Sequence, residues 1–322
     1  MRKALVVGLN QYPKHNLCWC SNDAESIAGL LEKNEDKSRN FDVLKIVDSC
    51  ETGCLRNAIQ RLFADTAEIA LLYFAGHGAD QDGGYLVTSD YAQSNLGVRM
   101  TDVLTWANES KSTNKVIILD CCFSGKMGES LLLRDNTVLG NGVTIIASSL
   151  PMQESQENNQ KRHGVFTDLL VQGLNGGAAD IRGNITPASL YSYVDQSLGA
   201  WEQRPVFKTN ISRFLPIRTT NAKVPQDKLR KLSQYFKSPS ELFQLDPSYE
   251  DTNDPSVIHE YIEPYADKTH IAVLKDLQLF ASVGLVEPVD TDHMYFAAME
   301  SKSCRLTALG QHYWRLSKDT RF

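Results

Sequence analysis

The sequence predicts an α/β fold, an open and mainly parallel sheet flanked by helices on both faces, followed by a small α+β unit. Three observations predict it. Five short apolar runs rich in Val, Ile and aromatic residues are nearly continuous in apolarity, as strands covered on both faces are. Segments with a one-sided apolar stripe separate the runs, the alternation that builds a wrapped sheet. Past residue 217 the polar, proline-containing stretch RTTNAKVPQDK marks a change of composition and reads as a linker.

In order, ALVVGL (4–9), FDVLKIV (41–47), IALLYFA (69–75), VIIL (116–119) and VTIIAS (143–148) are the expected strands. Between the first two, SNDAESIAGLLEK has a polar start and then Ile27, Leu30 and Leu31 on one face. Between the second and third, LRNAIQRLF carries Leu55, Ile59 and Leu62 at i, i+4, i+7. TDVLTWANES (101–110) is a further crossover helix. VFTDLLVQGL and TPASLYSYVDQSL follow the last clear strand, the latter with Thr186 as N-cap and Pro187 at the first helical position. RPVFKTNISRFLPI (204–217) closes the domain as an edge strand and tail. The expected organisation is a domain over 1–217, a linker over 218–227 and a second domain over 228–322.

The chain has 322 residues, 42% hydrophobic and 22% charged, with a net charge of -6, so no global field attracts nucleic acid or an anionic membrane. No apolar run approaches the roughly 20 residues that span a bilayer, and MRKALVVGLNQYP passes directly into a strand. Seven cysteines, at 18, 20, 50, 54, 121, 122 and 304, form an odd set that suits a reducing compartment, and the expected location is the cytoplasm. Cys18-x-Cys20 and Cys50-x3-Cys54 lack the usual zinc spacing and read as half-buried thiols; no metal site is assigned.

Ligands of open α/β sheets bind outside the carboxyl ends of the strands. The third strand exits as YFAGHGADQDGG, placing His77 between two glycines, and the fourth exits as LDCCFSG. If these strands are neighbours, an imidazole can take the proton of a thiol and later return one to a leaving amine. Backbone N–H groups free of bulky side chains can stabilise an oxyanion by roughly 3 kcal/mol each, and Gly78 N–H and the nucleophile's own N–H are the candidates.

Y-F-A-G-H-G followed by D-x-C-x-S-G resembles the caspase-like cysteine peptidases, and more closely their metacaspase and prokaryotic branch than the animal caspases. The likeness runs over about residues 1–217, through H-G-V-F-T-D-L-L (163–170) to the T-P-x-x-L helix. It implies a caspase-like fold and a cysteine endopeptidase activity, with His77 and Cys122 as the catalytic pair and Cys121 as a small packed residue. Asp23 and Asp120 resemble the two carboxylates with which metacaspases bind arginine or lysine, by short charge-assisted hydrogen bonds. Protein substrates cut after Arg or Lys follow from this.

No cofactor is required by such a reaction. Calcium is used by some metacaspases, and Asp80, Asp82 and Asp90 could bind it or orient His77, although acids in a Gly-rich loop are more often solvated. Lys126, Arg134, Lys161 and Arg162, in the loops after Cys122, are the candidate self-cleavage sites. Prokaryotic relatives of this architecture serve stress, cell-death or antiviral defence systems, and the resemblance implies a similar role.

The C-terminal segment reads as a helix, a stop at Gly284, two strands including MYFAA joined by VDTDH, and a helix capped by Thr307, which resembles a winged-helix domain. Residues 223–322 carry 12 Lys and Arg against 15 Asp and Glu, a net of -3, and the candidate recognition helix 268–282 offers only Lys268 and Lys275. Phosphate contacts dominate nucleic-acid affinity, so docking or regulation through a protein partner is the expectation and nucleic acid is not. Two other readings stay open: a catalytically silent caspase-fold scaffold, and a nucleic-acid-responsive sensor.

Overall fold

The structure, a computed structural model, describes residues 1–79, 81, 83–123, 138–148, 164–198, 205–211, 213, 215–254, 256 and 262–321, with the main chain alone at 122 and 123. The chain divides into two units, Met1–Asn221 and Ala222–Phe322.

In the first unit β1 (Arg2–Leu9), α1 (Cys20–Glu32), β2 (Asp42–Asp48), α2 (Thr52–Ala64) and β3 (Ile69–Ala79) come first. Two short strands, β4 (Tyr85–Leu86) and β5 (Val98–Arg99), then precede α3 (Met100–Glu109), β6 (Asn114–Phe123) and β7 (Val143–Ala147). The unit ends with α4 (Val165–Gln172), β8 (Asn184–Ile185), α5 (Pro187–Ser197), β9 (Val206–Asn210) and β10 (Arg218–Thr219). Among the described residues the central sheet runs β2-β1-β3-β6-β7-β9. Its neighbours are parallel from β2 to β7, and β9 joins antiparallel at the edge.

Strand alternation divides the core into two layers. Leu5, Val7, Leu72, Phe74, Ile117 and Leu119 face α2 and α3, where Leu55, Ile59, Leu62 and Val103 cover them. Ala4, Val6, Tyr73, Ala75, Val116 and Ile118 face the other way, beneath Ile27 and Leu31 of α1, Phe166 and Leu170 of α4, and Leu190 and Val194 of α5. Burying each large aliphatic side chain contributes about 1.5–3 kcal/mol. The start of α1 lies so close to β1 that a Cβ at Gly8 would sit 2.0 Å from the Cys20 carbonyl oxygen.

The structure departs from the sequence reading at four points in this unit. β2 is an edge strand, and with Leu44 56% exposed it is not covered on both faces. β4 and β5, too short to show a period, extend the sheet beyond the exit of β3. The helix read as VFTDLLVQGL stops at Gln172, because Gly173–Gly177 form one wide turn with Gly176 at φ +119°. Residues 218–221, placed in the linker by composition, lie within the first unit. There Arg218 and Thr219 pair with Ile185 and Asn184, and the Arg218 guanidinium donates to the carbonyls of Leu30 and Leu174, both at 2.8 Å.

The second unit comprises α6 (Gln226–Leu229), α7 (Leu232–Tyr235), β11 (Leu242–Gln244), α8 (Lys268–Ser282), β12 (Val286–Pro288), α9 (Met294–Met299), β13 (Ser303–Leu306) and α10 (Ala308–Lys318). Its three strands form an antiparallel sheet in the order β11-β13-β12. Gly284, at φ +73°, ends the turn after α8, and the Thr307 hydroxyl accepts the Gly310 N–H to cap α10. MYFAA, expected as a strand, is helical. Met294, Ala297 and Ala298 are its buried positions, at i, i+3 and i+4, and the strand that pairs with β12 is SCRL. Buried Asp276 of α8 accepts Lys228 Nζ at 2.6 Å, Lys231 Nζ at 2.7 Å and the Tyr235 hydroxyl at 2.7 Å, fastening α6 and α7 to α8.

Candidate active site

β3 and β6 are hydrogen-bonded neighbours, and their register pairs Ala75 with Asp120, Gly76 with Cys121, His77 with Cys122 and Gly78 with Phe123. Adjacent strands lie about 4.8 Å apart, so the backbones of His77 and Cys122 emerge side by side at the carboxyl end of the sheet. Cys121 is 2% exposed and packs in the layer beneath α2 and α3.

The main chain of His77 is fixed on two sides. Its N–H donates to the Tyr12 hydroxyl at 3.0 Å and its carbonyl accepts the Val87 N–H at 3.0 Å. The Tyr12 and His77 rings lie 4.6 Å apart, centroid to centroid, at 59°. Tyr12 reaches this position only because residue 76 is glycine, since a Cβ there would lie 2.5 Å from the phenol oxygen. Burial drives the Tyr12 phenol far above its ordinary range, and it stays protonated.

His77 Nε2 lies 2.7 Å from the carbonyl oxygen of His15. A carbonyl only accepts, so Nε2 carries the proton and Nδ1 carries the lone pair that can serve as a base. His15 adopts φ +60°, and Asn16 Oδ1 accepts the Tyr12 N–H at 2.8 Å, which folds residues 12–16 back over the histidine. No side-chain motif announces this partner. The available signal was the run NQYPKHN directly after the first strand.

Asp23 lies in the first turn of α1 and is 3% exposed. Asp120 Oδ2 accepts the Thr167 hydroxyl at 2.5 Å, and Thr167 Oγ1 lies 2.6 Å from the Tyr73 hydroxyl. Burial is the largest influence on the Asp120 carboxyl and lifts it above its ordinary range, against the pull of the Thr167 hydroxyl and amide. Both carboxylates converge on Gly164, the residue preceding α4. A Cβ at Gly164 would stand 3.3 Å from Asp120 Oδ2 and 3.6 Å from Asp23 Oδ2. Thr167 and Gly164 were not singled out as site residues from the sequence, although both sit within H-G-V-F-T.

Asp90 is hydrogen-bonded by a side chain of α2 and by two from the residues around it. Its carboxylate accepts Thr52, Thr88 and Asn95 side chains at 2.7–2.9 Å, and these bonds outweigh burial and hold it below the ordinary carboxylate range. Asp80, Asp82, Lys126, Arg134, Lys161 and Arg162 lie outside the described residues, as do the side chain of Cys122 and residues Ser124 and Gly125. Cys50 is buried and Cys54 exposed. Burial, then Cys54, push the Cys50 thiol up to about 12. Among the described residues no group of three or more His, Cys, Asp or Glu is arranged to hold a metal, and no cysteine is in a disulfide. A cavity of about 610 Å³, lined by Glu68, Asn114, Lys115 and Arg213, sits at the amino ends of β3 and β6 and so lies away from these strand exits.

The first unit is thus a wrapped, mainly parallel sheet whose register sets the backbones of His77 and Cys122 side by side at neighbouring strand exits. The family model for the caspase domain, Peptidase C14, matches residues 1–227, and the chain belongs to that family. Among solved structures, that of pro-Sf-caspase-1 is similar, with 16% identity, 68% of this chain and 91% of that chain covered, and a TM-score of 0.44. No curated protein matches the chain. Among the described residues no helix is long and apolar enough to cross a membrane.

Proposed function

We propose that the protein is an endopeptidase that cuts protein chains after Arg or Lys, with His77 and Cys122 as its catalytic pair. Cys122 loses its thiol proton to His77 Nδ1 and attacks the scissile carbonyl, while the N–H groups of Gly78 and Cys122 receive the oxyanion. His77 then protonates the departing amine, leaving a thioester. Water, activated by the same imidazole, hydrolyses it and regenerates the thiol. No cofactor takes part in these steps, and added calcium belongs in the assay as a test of activation.

Asp23 and Asp120 bind the basic side chain N-terminal to the cut bond. Their convergence on one backbone position, Gly164, is the observation that carries this reading, because two carboxylates facing one opening repel each other unless a cation separates them. Matched fluorogenic peptides ending in Arg, Lys or Asp, offered to wild type and to Cys122→Ala, Asp23→Ala and Asp120→Ala, test it. Hydrolysis of the Arg and Lys peptides alone, lost in all three variants, is the expected result. Faster cleavage after Asp would refute the acidic pocket, and activity surviving in Cys122→Ala would refute the nucleophile.

The second unit is proposed as a winged-helix-like docking or regulatory module. The strand order β11-β13-β12 behind α8 supports this reading, with α9 standing where a wing would be. Lys275, one of the two lysines of α8, is already paired with Asp251 at 2.9 Å, which favours a protein partner over nucleic acid. Salt-sensitive retardation of duplex DNA or RNA in a gel would reverse that preference.

A further inference from the structure

The carboxylate of Asp120 is held by a relay that the peptidase reaction does not use. Thr167 has one hydroxyl proton and gives it to Asp120 Oδ2, so the Tyr73 hydroxyl is the donor to Thr167 Oγ1. Tyr73 and Thr167 are both 0% exposed, on β3 and α4 respectively, and neither can exchange its partner for water. The same end of α4 supplies Gly164, whose missing side chain leaves space beside both acids.

We propose that Gly164, Thr167 and Tyr73 determine specificity: the Tyr73–Thr167 relay orients Asp120 towards a basic side chain, and bare Gly164 leaves the opening wide enough for a planar guanidinium. This rests on Asp23 and Asp120 being the basic-residue pocket. Thr167 and Tyr73 are positioning residues, acting through Asp120. Burial opposes the charged form of Asp120, and the hydroxyl and amide of Thr167 oppose that effect. The titratable groups facing this cluster are Asp23 and Cys20 on α1 and Tyr73 on β3. A neutral Asp120 attracts no cation, so loss of the relay weakens recognition first at the acid side.

Kinetics of full-length Thr167→Val, Thr167→Ser, Tyr73→Phe and Gly164→Ala on Arg and Lys peptides, each over an acid-to-neutral pH series, test the inference. Thr167→Val is expected to raise KM about tenfold with kcat nearly unchanged, and to move the acid limb of kcat/KM to higher pH. Thr167→Ser restores both. Tyr73→Phe, which keeps the ring packing, shows the same changes at smaller size and reads the relay even where Thr167→Val does not fold. Gly164→Ala loses Arg cleavage more than Lys cleavage, because the planar fork needs the wider opening. Unchanged KM and acid limb in both Thr167→Val and Tyr73→Phe, or an equal fall of kcat on both peptides, would overturn this inference while leaving the acidic pocket standing. A wild type that cleaves neither Arg nor Lys peptides would overturn both.

Discussion

The hydroxyl of Tyr12 and the main-chain N–H of His77 are joined by a 3.0 Å hydrogen bond, with the two rings in tilted contact above it. The residue that carries the proposed base is thus anchored through its backbone by a side chain from another strand exit. Tyr12→Phe keeps the ring and removes the acceptor, leaving the amide without that partner, which costs about 1–2 kcal/mol. A fall in kcat of about tenfold with little change in KM is expected in steady-state peptide hydrolysis. Equal losses in kcat and thermal stability would instead mark Tyr12 as a packing residue.

Asn16 holds the same loop from within, through the Tyr12 N–H. Asn16→Ala is expected to lower activity several-fold while the melting temperature stays within about 2 °C, since the residue is outside the core. Calorimetry and kinetics on one preparation decide it.

Gly8 sets how closely α1 can approach β1. An alanine there meets the Cys20 carbonyl oxygen at 2.0 Å and Ala24 Cβ at 2.7 Å, neither of which is a flexible tip. Gly8→Ala should destabilise the first unit by at least about 2 kcal/mol, and because Asp23 rides on α1 it should also raise KM for basic peptides. Chemical denaturation showing wild-type stability would contradict this account.

Asp276 tests the second unit. Its carboxyl is buried, which alone would raise it, but Lys228, Lys231 and Tyr235 outweigh burial and hold it below the ordinary range. A group depressed on folding stabilises above its unfolded pKa, about 3.9, and that contribution is lost as pH falls through the lower folded value. Asp276→Asn should cost about 2 kcal/mol at neutral pH and flatten the acid dependence in this region. Hydrogen exchange of α6–α8 amides in the full chain reports both. Unchanged protection would show that the two lysines, each more than a third exposed, contribute little.

The parts of the molecule legible in the sequence are those with a period. The buried strands and crossover helices announce themselves because Leu55, Ile59 and Leu62 repeat at helical spacing and the strands are apolar throughout. Two-residue strands such as β4 and β5 have no period to read. MYFAA reads as a strand because a five-residue apolar run satisfies either pattern, and only its buried spacing shows the helix. In the site, His77 was visible as a motif between glycines, whereas Tyr12, Thr167 and Gly164 act through contacts that the fold creates between residues distant in sequence. Each looked like an ordinary core or loop residue until β1, β3 and α4 were brought together.

The partner of the His77 ring is an oxygen that every amino acid carries. Replacing His15 with any residue that tolerates φ +60°, such as Asn or Gly, leaves that oxygen in place, while adding or deleting one residue between Tyr12 and Asn16 moves it away. This part of the site is therefore indifferent to spelling and strict about length, so drift at position 15 is harmless where a single inserted codon would silence the enzyme.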